Sequence, residues 1–378
     1  MENNFNVINS TINNVFISSK DRCISCKKCL KVCPFLEKYC NTPKELLINI
    51  EKTTSIDPIV PFSCSLCGCC KRVCPKNIDL GEVFFTMREE ISTYNGGKSP
   101  LKGHSVMHFH QSFSNSPLFK GIYGDKKVKR LFMPGCSLSG YDPELVIKIY
   151  NYLNEKLGHT GLLLYCCSKP TKDLGEIDLF RKRYESFINE VKSFENVEII
   201  TACQSCFRVL KEESTDIKTT SLWKVLKEID IPKDSIGKGK DCKLEFSIKD
   251  SCQSLDDKEI GESIRYIINR LGYNLKSLDF TNSCCGFGGL VHTVDSNLSK
   301  AIRNSSLEKL ESNNIISYCG GCLGSVNLTD KRSYHILDLI FKDKNEIESR
   351  NKLNITTLNS WKNRYKLKSK MKHIKRDR

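Results

Sequence analysis

The sequence predicts an α+β, multidomain protein in which an all-helical N-terminal domain precedes two copies of an α/β unit. Two runs of four cysteines occupy residues 23–33 and 64–74, among segments whose apolar residues have helical spacing. Further along, a lone cysteine, an adjacent cysteine pair and a Cys-x-x-Cys group occur in that order twice. Matching groups of the two copies lie 116, 118 and 116 residues apart. Such a fixed offset indicates an internal duplication.

Length, charge and cysteine content limit the possible classes of protein. A chain of 378 residues is long enough for two or three domains. Its 21 cysteines would suit a secreted disulfide scaffold, but residues 1–5 lack the basic and apolar regions of a signal peptide. No apolar run approaches the ~18 residues of a membrane span. We therefore expect a cytoplasmic protein whose reduced thiols serve as metal or redox ligands.

The formal net charge of +15 overstates how basic the loaded protein would be. Thiolate-bound iron–sulfur clusters are anionic and would cancel part of the excess. No nucleic-acid partner is therefore expected.

Composition and spacing divide the chain into five parts. We expect the helical domain at residues 1–94, a linker at 95–127, the two α/β units at 128–240 and 241–345, and a basic tail at 346–378. In the helical domain, Thr42 is suited to cap a helix that starts at Pro43. The linker contains glycine and proline without a sustained period. It also holds His104, His108 and His110, for which we favour a solvated or locally hydrogen-bonded cluster over a metal site.

The two N-terminal runs share the spacing Cys-x-x-Cys-x-x-Cys-x-x-x-Cys-Pro. This spacing is typical of bacterial two-cluster ferredoxins, in which the fourth cysteine of each run ligates the cluster of the other run. We therefore expect two [4Fe-4S] cubane clusters. The expected ligands are Cys23, Cys26, Cys29 and Cys74 for the first cubane, and Cys64, Cys67, Cys70 and Cys33 for the second. A pair of zinc knuckles is disfavoured, because zinc sites use four ligands in two pairs.

In the two later copies, each cysteine group follows a short apolar segment that reads as a strand. In the first copy, residues 128–133 lead to Cys136, and the helix that follows is expected to end at Gly158. In the second copy, the corresponding helix is expected to end at Gly272. Alternating strands and helices predict parallel sheets, whose ligands bind beyond the carboxyl ends of the strands. The five cysteines of each copy could therefore converge.

This cysteine pattern resembles the cysteine-rich "CCG" domain. That domain marks the catalytic subunits of heterodisulfide reductases, and it occurs in the iron–sulfur subunits of anaerobic glycerol-3-phosphate dehydrogenase, glycolate oxidase and lactate-utilisation systems. A ferredoxin-type domain followed by two CCG domains is similar to the single-chain catalytic subunit of membrane-type heterodisulfide reductases. The resemblance covers roughly residues 21–340. The helical domain likewise resembles the iron–sulfur domains of heterodisulfide, fumarate and succinate reductases.

The resemblance implies a noncubane four-iron cluster in each copy, with the substrate disulfide between the two clusters. The implied catalytic ligands are Cys136, Cys166, Cys167, Cys203 and Cys206 in the first copy, and Cys252, Cys284, Cys285, Cys319 and Cys322 in the second. One departure is Ser168, which stands where glycine usually follows the pair and would be strained if a positive φ were required. A thioredoxin-type role for Cys203 and Cys206 is disfavoured by the duplication. Cys69, next to Cys70, is expected to be a small buried residue near the cluster, and Cys40 and Cys242 are expected to be plain thiols.

We therefore expect an iron–sulfur oxidoreductase subunit that passes electrons through two cubanes to the CCG clusters and reduces a disulfide. One alternative is a non-catalytic electron-transfer subunit of a flavin-dependent glycerol-3-phosphate, lactate or glycolate dehydrogenase; another is a redox sensor. Lys169 or Arg208 could hold acidic groups of a substrate. No glycine-rich dinucleotide motif or P-loop is present, so we expect no flavin or nucleotide of its own.

The absence of such a motif implies a separate electron donor: a flavoprotein, another iron–sulfur protein or a membrane cytochrome subunit. The tail carries nine Lys and Arg residues between positions 361 and 378. We favour a solvated or frayed end there. The alternatives are an anionic membrane surface, which would place the protein peripherally at the inner face of the membrane, or an acidic partner subunit.

Overall fold

The computed structural model describes residues 5–6, 13–124 and 127–376, which form two compact units. The first unit contains the described residues up to His110 together with Pro170–Lys182 and Asn282–Lys309. The second contains Gln111–Lys169, Arg183–Thr281 and the described residues from Leu310 onward. The first unit thus includes two segments that the sequence assigned to the α/β copies.

Helices account for most of the regular structure. In chain order they are α1 (Asn14–Arg22), α2 (Pro34–Tyr39), α3 (Pro43–Thr53), α4 (Ile59–Phe62), α5 (Cys69–Val73), α6 (Leu80–Tyr94), α7 (Ser105–Ser114), α8 (Cys136–Tyr141), α9 (Pro143–Leu157), α10 (Lys169–Asp173), α11 (Ile177–Lys192), α12 (Gln204–Glu213), α13 (Leu222–Ile229), α14 (Lys258–Leu271), α15 (Val291–Val294), α16 (Ser296–Leu307), α17 (Gly320–Asn327), α18 (Ile336–Phe341), α19 (Lys344–Glu348) and α20 (Thr357–Arg376). Short 3-10 turns occur at Leu30–Val32, Lys102–His104, Lys233–Ser235 and Gly288–Leu290.

The strands form two larger sheets and one small pair. They are β1 (Phe5–Asn6), β2 (Ser55–Ile56), β3 (Gly121–Tyr123), β4 (Arg130–Met133), β5 (Thr160–Leu164), β6 (Glu198–Thr201), β7 (Thr219–Ser221), β8 (Glu245–Ile248), β9 (Asn274–Leu275), β10 (Asn314–Ser317) and β11 (Arg332–His335). The small pair, β1 and β2, is antiparallel, and both larger sheets belong to the second unit.

The first unit is helical, which confirms the expectation for the N-terminal domain. Thr42 caps α3, since its hydroxyl accepts a hydrogen bond from the backbone N–H of Glu45 at 3.2 Å. Asp79 caps α6 in the same way, through the N–H groups of Gly81 and Glu82. Phe35 and Phe84 pack edge to face in the core beside the cysteine runs, with ring centroids 5.1 Å apart.

The second unit shows the duplication in its sheet topology. The first copy has the strand order β5-β4-β6-β7, all parallel, and the second copy has the matching order β9-β8-β10-β11, also all parallel. The first sheet gains β3 as an antiparallel edge strand. One apolar core combines side chains of both copies, among them Phe132 and Trp223 from the first and Phe246 and Tyr334 from the second.

The segment 95–127, expected to be a linker, contains helix α7 and strand β3. The sequence did not predict this helix because of the side chains that it buries. Gln111 and Ser114 are each 1% exposed, whereas Val106 and Phe109 are 67% and 66% exposed. A helix that buries polar residues and exposes apolar ones gives no apolar period in the sequence.

The basic tail forms helix α20, so the expectation of a solvated or frayed end is wrong. Leu367 and Met371 of this helix are 0% and 1% exposed and belong to the core of the second unit. The helix packs on α8 and α9. Its buried residues recur at helical spacing, a signal that the high charge of the segment obscures. None of the described helices is long and apolar enough to cross a membrane.

Candidate functional site

The first expected cubane set lies together in the first unit. The pKa of the half-buried Cys29 thiol is raised to about 11, mainly by burial and to a smaller extent by the neighbouring thiols of Cys23, Cys74 and Cys26. Cys74 belongs to the second run, so the fold brings the fourth cysteine of one run to the first three of the other. This is the exchange that the sequence spacing predicts.

The second expected set surrounds a small pocket in the same unit. Cys33, Cys64, Cys67 and Cys70 line it together with apolar side chains such as Phe35. Burial raises the pKa of Cys33 well above its usual value, and Cys64 and Cys70 add to the effect. These four thiols again come from both runs.

The spacing of these thiols distinguishes a cluster from a single ion. Among the described residues, no three His, Cys, Asp or Glu side chains converge closely enough to hold one metal ion. Four thiols placed around a pocket instead provide the all-sulfur donor set that [4Fe-4S] clusters use. The residues present therefore fit a thiolate-ligated cluster better than mononuclear zinc.

Cys284 of the second copy also lines this pocket. Hydrogen bonding to Cys284 is the main cause that raises the pKa of Cys67 well above its usual value, followed by Cys69 and burial. Cys284 and Cys285 are buried and belong to the first unit, whereas Cys252, Cys319 and Cys322 belong to the second. Joint ligation of one cluster by these five residues stays a prediction.

The five cysteines of the first copy lie together in the second unit. Cys166 hydrogen-bonds with Cys136 and interacts with its neighbour Cys167. Cys206 in turn hydrogen-bonds with Cys167 and Cys203. Cys136 starts α8 after β4, the adjacent pair follows β5, and Cys203 directly precedes α12 after β6. All groups therefore stand at carboxyl ends of parallel strands, as the alternating pattern predicts.

Gly135 permits this close approach of thiols. Its φ is +79°, and a Cβ atom there would lie 2.6 Å from Cβ of Cys203 and 3.6 Å from Sγ of Cys206. Only glycine fits both the backbone conformation and the space.

Two polar side chains that the sequence analysis missed lie beside the same thiols. The Gln111 amide contacts Sγ of Cys166 at 3.7 Å. Arg364 lines a small pocket with Cys136 and donates a hydrogen bond to Oγ of Ser114 at 3.0 Å. The hydrogen bond with Cys166 lowers the pKa of Cys136 to about 6; burial opposes this shift and Arg364 adds to it. The helical spacing of residues 364, 367 and 371 could have revealed this arginine.

In the second copy, the Cys-x-x-Cys group lies at the start of α17. The hydrogen bond with Cys322 lowers the pKa of Cys319 to about 6, against the effect of burial. A Cβ atom on Gly320 would lie 2.6 Å from Cβ of Ser137 in α8. The residue that follows Cys319 therefore packs directly on the residue that follows Cys136, within one unit.

The first cysteine group of the second copy has polar surroundings. Asp250, two residues before Cys252, is fully buried and accepts two hydrogen bonds from Arg265, at 3.0 and 2.9 Å. The Tyr318 hydroxyl also donates to Asp250, at 3.3 Å. Lys249 is buried as well, and its ammonium donates to the carbonyl oxygen of Asp250.

The residue after each cysteine pair has a positive φ. Ser168 has φ +56° and Gly286 has φ +74°. The strain anticipated for a serine at this position is therefore present. The Ser168 side chain is fully buried, and its hydroxyl has no hydrogen-bond partner among the described residues.

Two of the three histidines form hydrogen bonds within the first unit. His104 Nδ1 lies 2.6 Å from Oγ of Ser99, and burial lowers the pKa of His104 to about 3. His108 Nε2 lies 2.5 Å from a carboxylate oxygen of Glu176. His110 occupies the next turn of α7.

The other singled-out residues have ordinary surroundings. Cys69 and Cys242 are buried, and the thiol of Cys40 donates to the carbonyl oxygen of Leu36 at 3.2 Å. Arg208 pairs with Glu212 on its own helix at 2.7 Å, which leaves it less suited to hold a substrate. Lys169 begins α10, directly after Ser168.

Comparison with known families matches three parts of the chain. Residues 22–79 match the 4Fe-4S dicluster domain. Residues 131–211 and 247–327 each match the cysteine-rich domain named CCG. These matches contain all 18 cysteines assigned from the sequence.

Several curated proteins are similar over most of the chain. A subunit of the fumarate reductase (CoM/CoB) of Methanothermobacter marburgensis is 22% identical over 84% of this chain and 71% of its own length. A subunit of the dihydromethanophenazine:CoB–CoM heterodisulfide reductase of Methanosarcina barkeri is 21% identical over 85% of this chain and 91% of its own length. Ferredoxin-3 of a Nostoc species is 35% identical over 65 residues, which are 15% of this chain and 67% of that ferredoxin. The chain is thus an iron–sulfur electron-transfer protein of the oxidoreductase kind, with one 4Fe-4S dicluster domain and two CCG domains, and it is similar to subunits of heterodisulfide reductases.

Proposed function

We propose that this chain is the disulfide-reducing subunit of a reductase complex. One observation carries the proposal: the five thiols of the first copy lie together, and the Cys-x-x-Cys helix of the second copy packs beside them through Gly320 and Ser137. Reduction of a disulfide needs two electrons, and two neighbouring redox sites could supply one each. A simple relay would not need a second cysteine-rich copy.

The proposed ligands are those that the ferredoxin spacing predicts for the cubanes and that the resemblance to the CCG domain implies for the two copies. Cys23, Cys26, Cys29 and Cys74 would hold one cubane, and Cys33, Cys64, Cys67 and Cys70 the other. The five cysteines of the first copy would hold a noncubane cluster, and the matching five of the second copy are proposed from the sequence to do the same. When bound, the clusters supply single electrons and an iron that can accept a thiolate.

The protein's own groups prepare the site for anionic products. Arg364 is 7% exposed and lies beside Cys136, so its charge can stabilise a thiolate that develops there. Its position is fixed by cation–π contacts with Trp361 and Phe119, at 4.4 and 5.1 Å from the ring centroids. Burial of the surrounding thiols limits access of water, which strengthens this interaction.

The electron donor is proposed to be another subunit, either a flavoprotein or a further iron–sulfur protein. The similar proteins from Methanothermobacter and Methanosarcina are named as subunits, which supports a complex. The sequence contains no dinucleotide motif that would supply electrons from within the chain.

The test uses anaerobically reconstituted full chain and the variant Cys285→Ser. We expect about 16 irons per wild-type chain, since four clusters of four irons are proposed. Reduced methyl viologen should drive disulfide reduction by the wild type only. The variant should keep the EPR signals of the reduced cubanes, because its changed ligand lies outside the two ferredoxin-type runs.

Cys242→Ser is the matched control, because the buried thiol of Cys242 belongs to none of the proposed sets of cluster ligands. This control variant should keep wild-type activity. Full disulfide reduction by Cys285→Ser would contradict the proposal. So would a wild type that reduces no disulfide yet passes electrons from a flavin dehydrogenase, which would favour the relay.

A further inference from the structure

The two ferredoxin-type runs differ in exposure. In the first run Cys26 is exposed, and Ile24 beside it is 57% exposed. In the second run Cys64 and Cys70 are buried, and Cys67 is partly buried. A carrier outside the molecule can therefore approach the first set of thiols far more closely than the second.

Basic side chains surround the exposed thiol. Lys27, Lys28 and Lys31 are exposed, and among the described residues none of them forms an ion pair. On the neighbouring turn, the exposed Arg22 donates to the carbonyl oxygen of Lys76, which is also exposed. Positions 22–33 and 74–78 contain no acidic residue, so these segments themselves do not neutralise the positive charge.

The backbone conformation at Lys27 is energetically unfavourable for a lysine. Ser25 and Lys27 have φ values of +56° and +60°, and the matching residues of the second run, Leu66 and Gly68, have +50° and +71°. Both runs thus have the same loop conformation. At the second of the two matching positions, the second run has Gly68, which adopts a positive φ without strain. The first run has Lys27 at this position, and a lysine is strained there. Strain of this kind is commonly retained at functional positions.

We propose that this surface, formed by Ile24, Cys26 and the basic residues Arg22, Lys27, Lys28, Lys31 and Lys76, is the docking site of a small acidic protein that carries single electrons. The proposal rests on the cubane ligation proposed above for Cys23, Cys26, Cys29 and Cys74. One electron passes from the reduced carrier to the chain's first cluster. The carrier is oxidised by one electron, and no bond is formed or broken.

Charge and shape both favour a protein carrier over a lipid surface. Complementary charge speeds the encounter of redox partners and orients them before transfer. An exposed apolar side chain beside the thiol allows the close, partly desolvated contact that transient redox interfaces use. Anionic lipid headgroups would match the charge but deliver no electron.

The first test measures how fast small charged reductants bleach the cluster absorbance in stopped flow. A positive surface potential attracts the anionic dithionite radical and repels the cationic methyl viologen radical, so the two reaction rates respond to this potential in opposite directions. In the variant Lys27→Glu/Lys28→Glu, the rate with the anion should fall and the rate with the cation should rise. Their ratio should change by about tenfold at low salt and much less at ~1 M salt, where the Debye length is about 3 Å.

The matched control is Lys98→Glu/Lys102→Glu, which reverses two exposed lysines of the same unit. It should leave the ratio within about twofold of wild type. Iron content and cubane EPR signals of both variants must equal those of wild type, which separates this test from the ligand proposal. Disulfide reduction is not part of the measurement, so a failed disulfide assay would leave the result intact.

The second test measures binding of a purified acidic plant-type [2Fe-2S] ferredoxin by calorimetry. The wild type and the Lys98/Lys102 variant should bind it, and the Lys27/Lys28 variant should bind at least tenfold more weakly. An unchanged affinity and an unchanged rate ratio would each overturn the proposal. Loss of binding to phosphatidylserine vesicles in the Lys27/Lys28 variant, with ferredoxin binding unaffected, would assign the surface to a membrane instead.

Discussion

The two CCG copies have the same strand order but different surroundings for their cysteines. In the first copy Met133, Pro134 and Gly135 lead to the first cysteine, and Gly135 lets the thiols of the other groups come close. In the second copy the matching positions 249–251 hold lysine, aspartate and serine. Duplication has therefore preserved the framework of the sheet, while the residues at the carboxyl ends of its strands have diverged.

The copies also differ in how their cysteines are distributed between the compact units. All five cysteines of the first copy belong to the second unit. In the second copy the adjacent pair belongs to the first unit, and Cys284 lies beside Cys67 of the second cubane set there. The cysteines of the two copies thus have different neighbours.

The largest expected effect comes from deletion of helix α20, which packs on α8 and α9 of the first copy. Deletion removes the buried Leu367 and Met371 and the guanidinium beside Cys136. Loss of a buried Leu or Met side chain costs about 2–5 kcal/mol each. We expect the deletion to lower the thermal midpoint markedly and to release about four irons, while the cubane EPR signals stay.

The control for this deletion is Lys366→Ala/Lys370→Ala. These lysines pair with Glu144 at the surface, at 3.1 and 2.5 Å, and exposed pairs contribute at most about 1 kcal/mol. The double variant should keep its iron. A deletion that also keeps full iron content would show that α20 does not support the site.

The second expected effect concerns the polar network of the second copy. Asp250 is fully buried and is paired with Arg265. Asp250→Asn removes the negative charge but keeps the size, so it leaves the guanidinium without its ion pair at a cost of about 3–5 kcal/mol. Thermal unfolding followed by circular dichroism should show a large decrease in the midpoint.

Asp257→Asn provides the comparison for this prediction. Asp257 pairs with Lys224 at 2.9 Å, and its side chain is 31% exposed. Its loss should cost about 1 kcal/mol or less. Equal effects of the two substitutions would mean that the Asp250 network adds nothing to the second copy.

The sequence predicted the parts of the molecule that depend on local spacing. The exchange of Cys33 and Cys74 between the two runs follows from the ferredoxin spacing, and the parallel sheets follow from alternating strands and helices. The sequence did not predict helix α7, because the residues that this helix buries include the polar Gln111 and Ser114. It also did not predict that α20 packs on the second unit, because many charged residues surround its few buried apolar ones. The helical spacing of α20 could reveal that Arg364 faces the protein. It could not reveal that Arg364 lies near the thiol of Cys136, because proximity between distant segments leaves no local pattern.

The position after each cysteine pair provides the next prediction. Gly286 has φ +74°, and a Cβ atom there would lie 2.6 Å from the carbonyl oxygen of Ser299. Gly286→Ser therefore combines a left-handed backbone with a steric clash, and we expect it to destabilise the protein by roughly 2 kcal/mol. Loss of the Cys284–Cys67 contact should accompany it. If Gly286→Ser has the thermal midpoint of the wild type, the loop that contains residue 286 moves away from α16 without loss of stability.

The reciprocal substitution, Ser168→Gly, has the smallest expected effect and the opposite sign. Ser168 has φ +56°, and its buried hydroxyl finds no hydrogen-bond partner among the described residues. Glycine removes both the strained conformation and the unsatisfied hydroxyl, and these gains exceed the extra backbone entropy that glycine loses on folding. We expect a stabilisation of about 1 kcal/mol, seen as a small rise of the thermal midpoint with unchanged iron content.

Ser168→Ala separates the two causes, because alanine removes the hydroxyl and keeps the strain. If Ser168→Ala stabilises the protein as much as Ser168→Gly, the buried hydroxyl is the main cause of the stability lost in the wild type. If only Ser168→Gly stabilises the protein, the left-handed backbone conformation is the main cause. A lower stability of Ser168→Gly would show that the Ser168 hydroxyl stabilises the first copy. The second copy, which has Gly286 at the matching position, would not need this contribution.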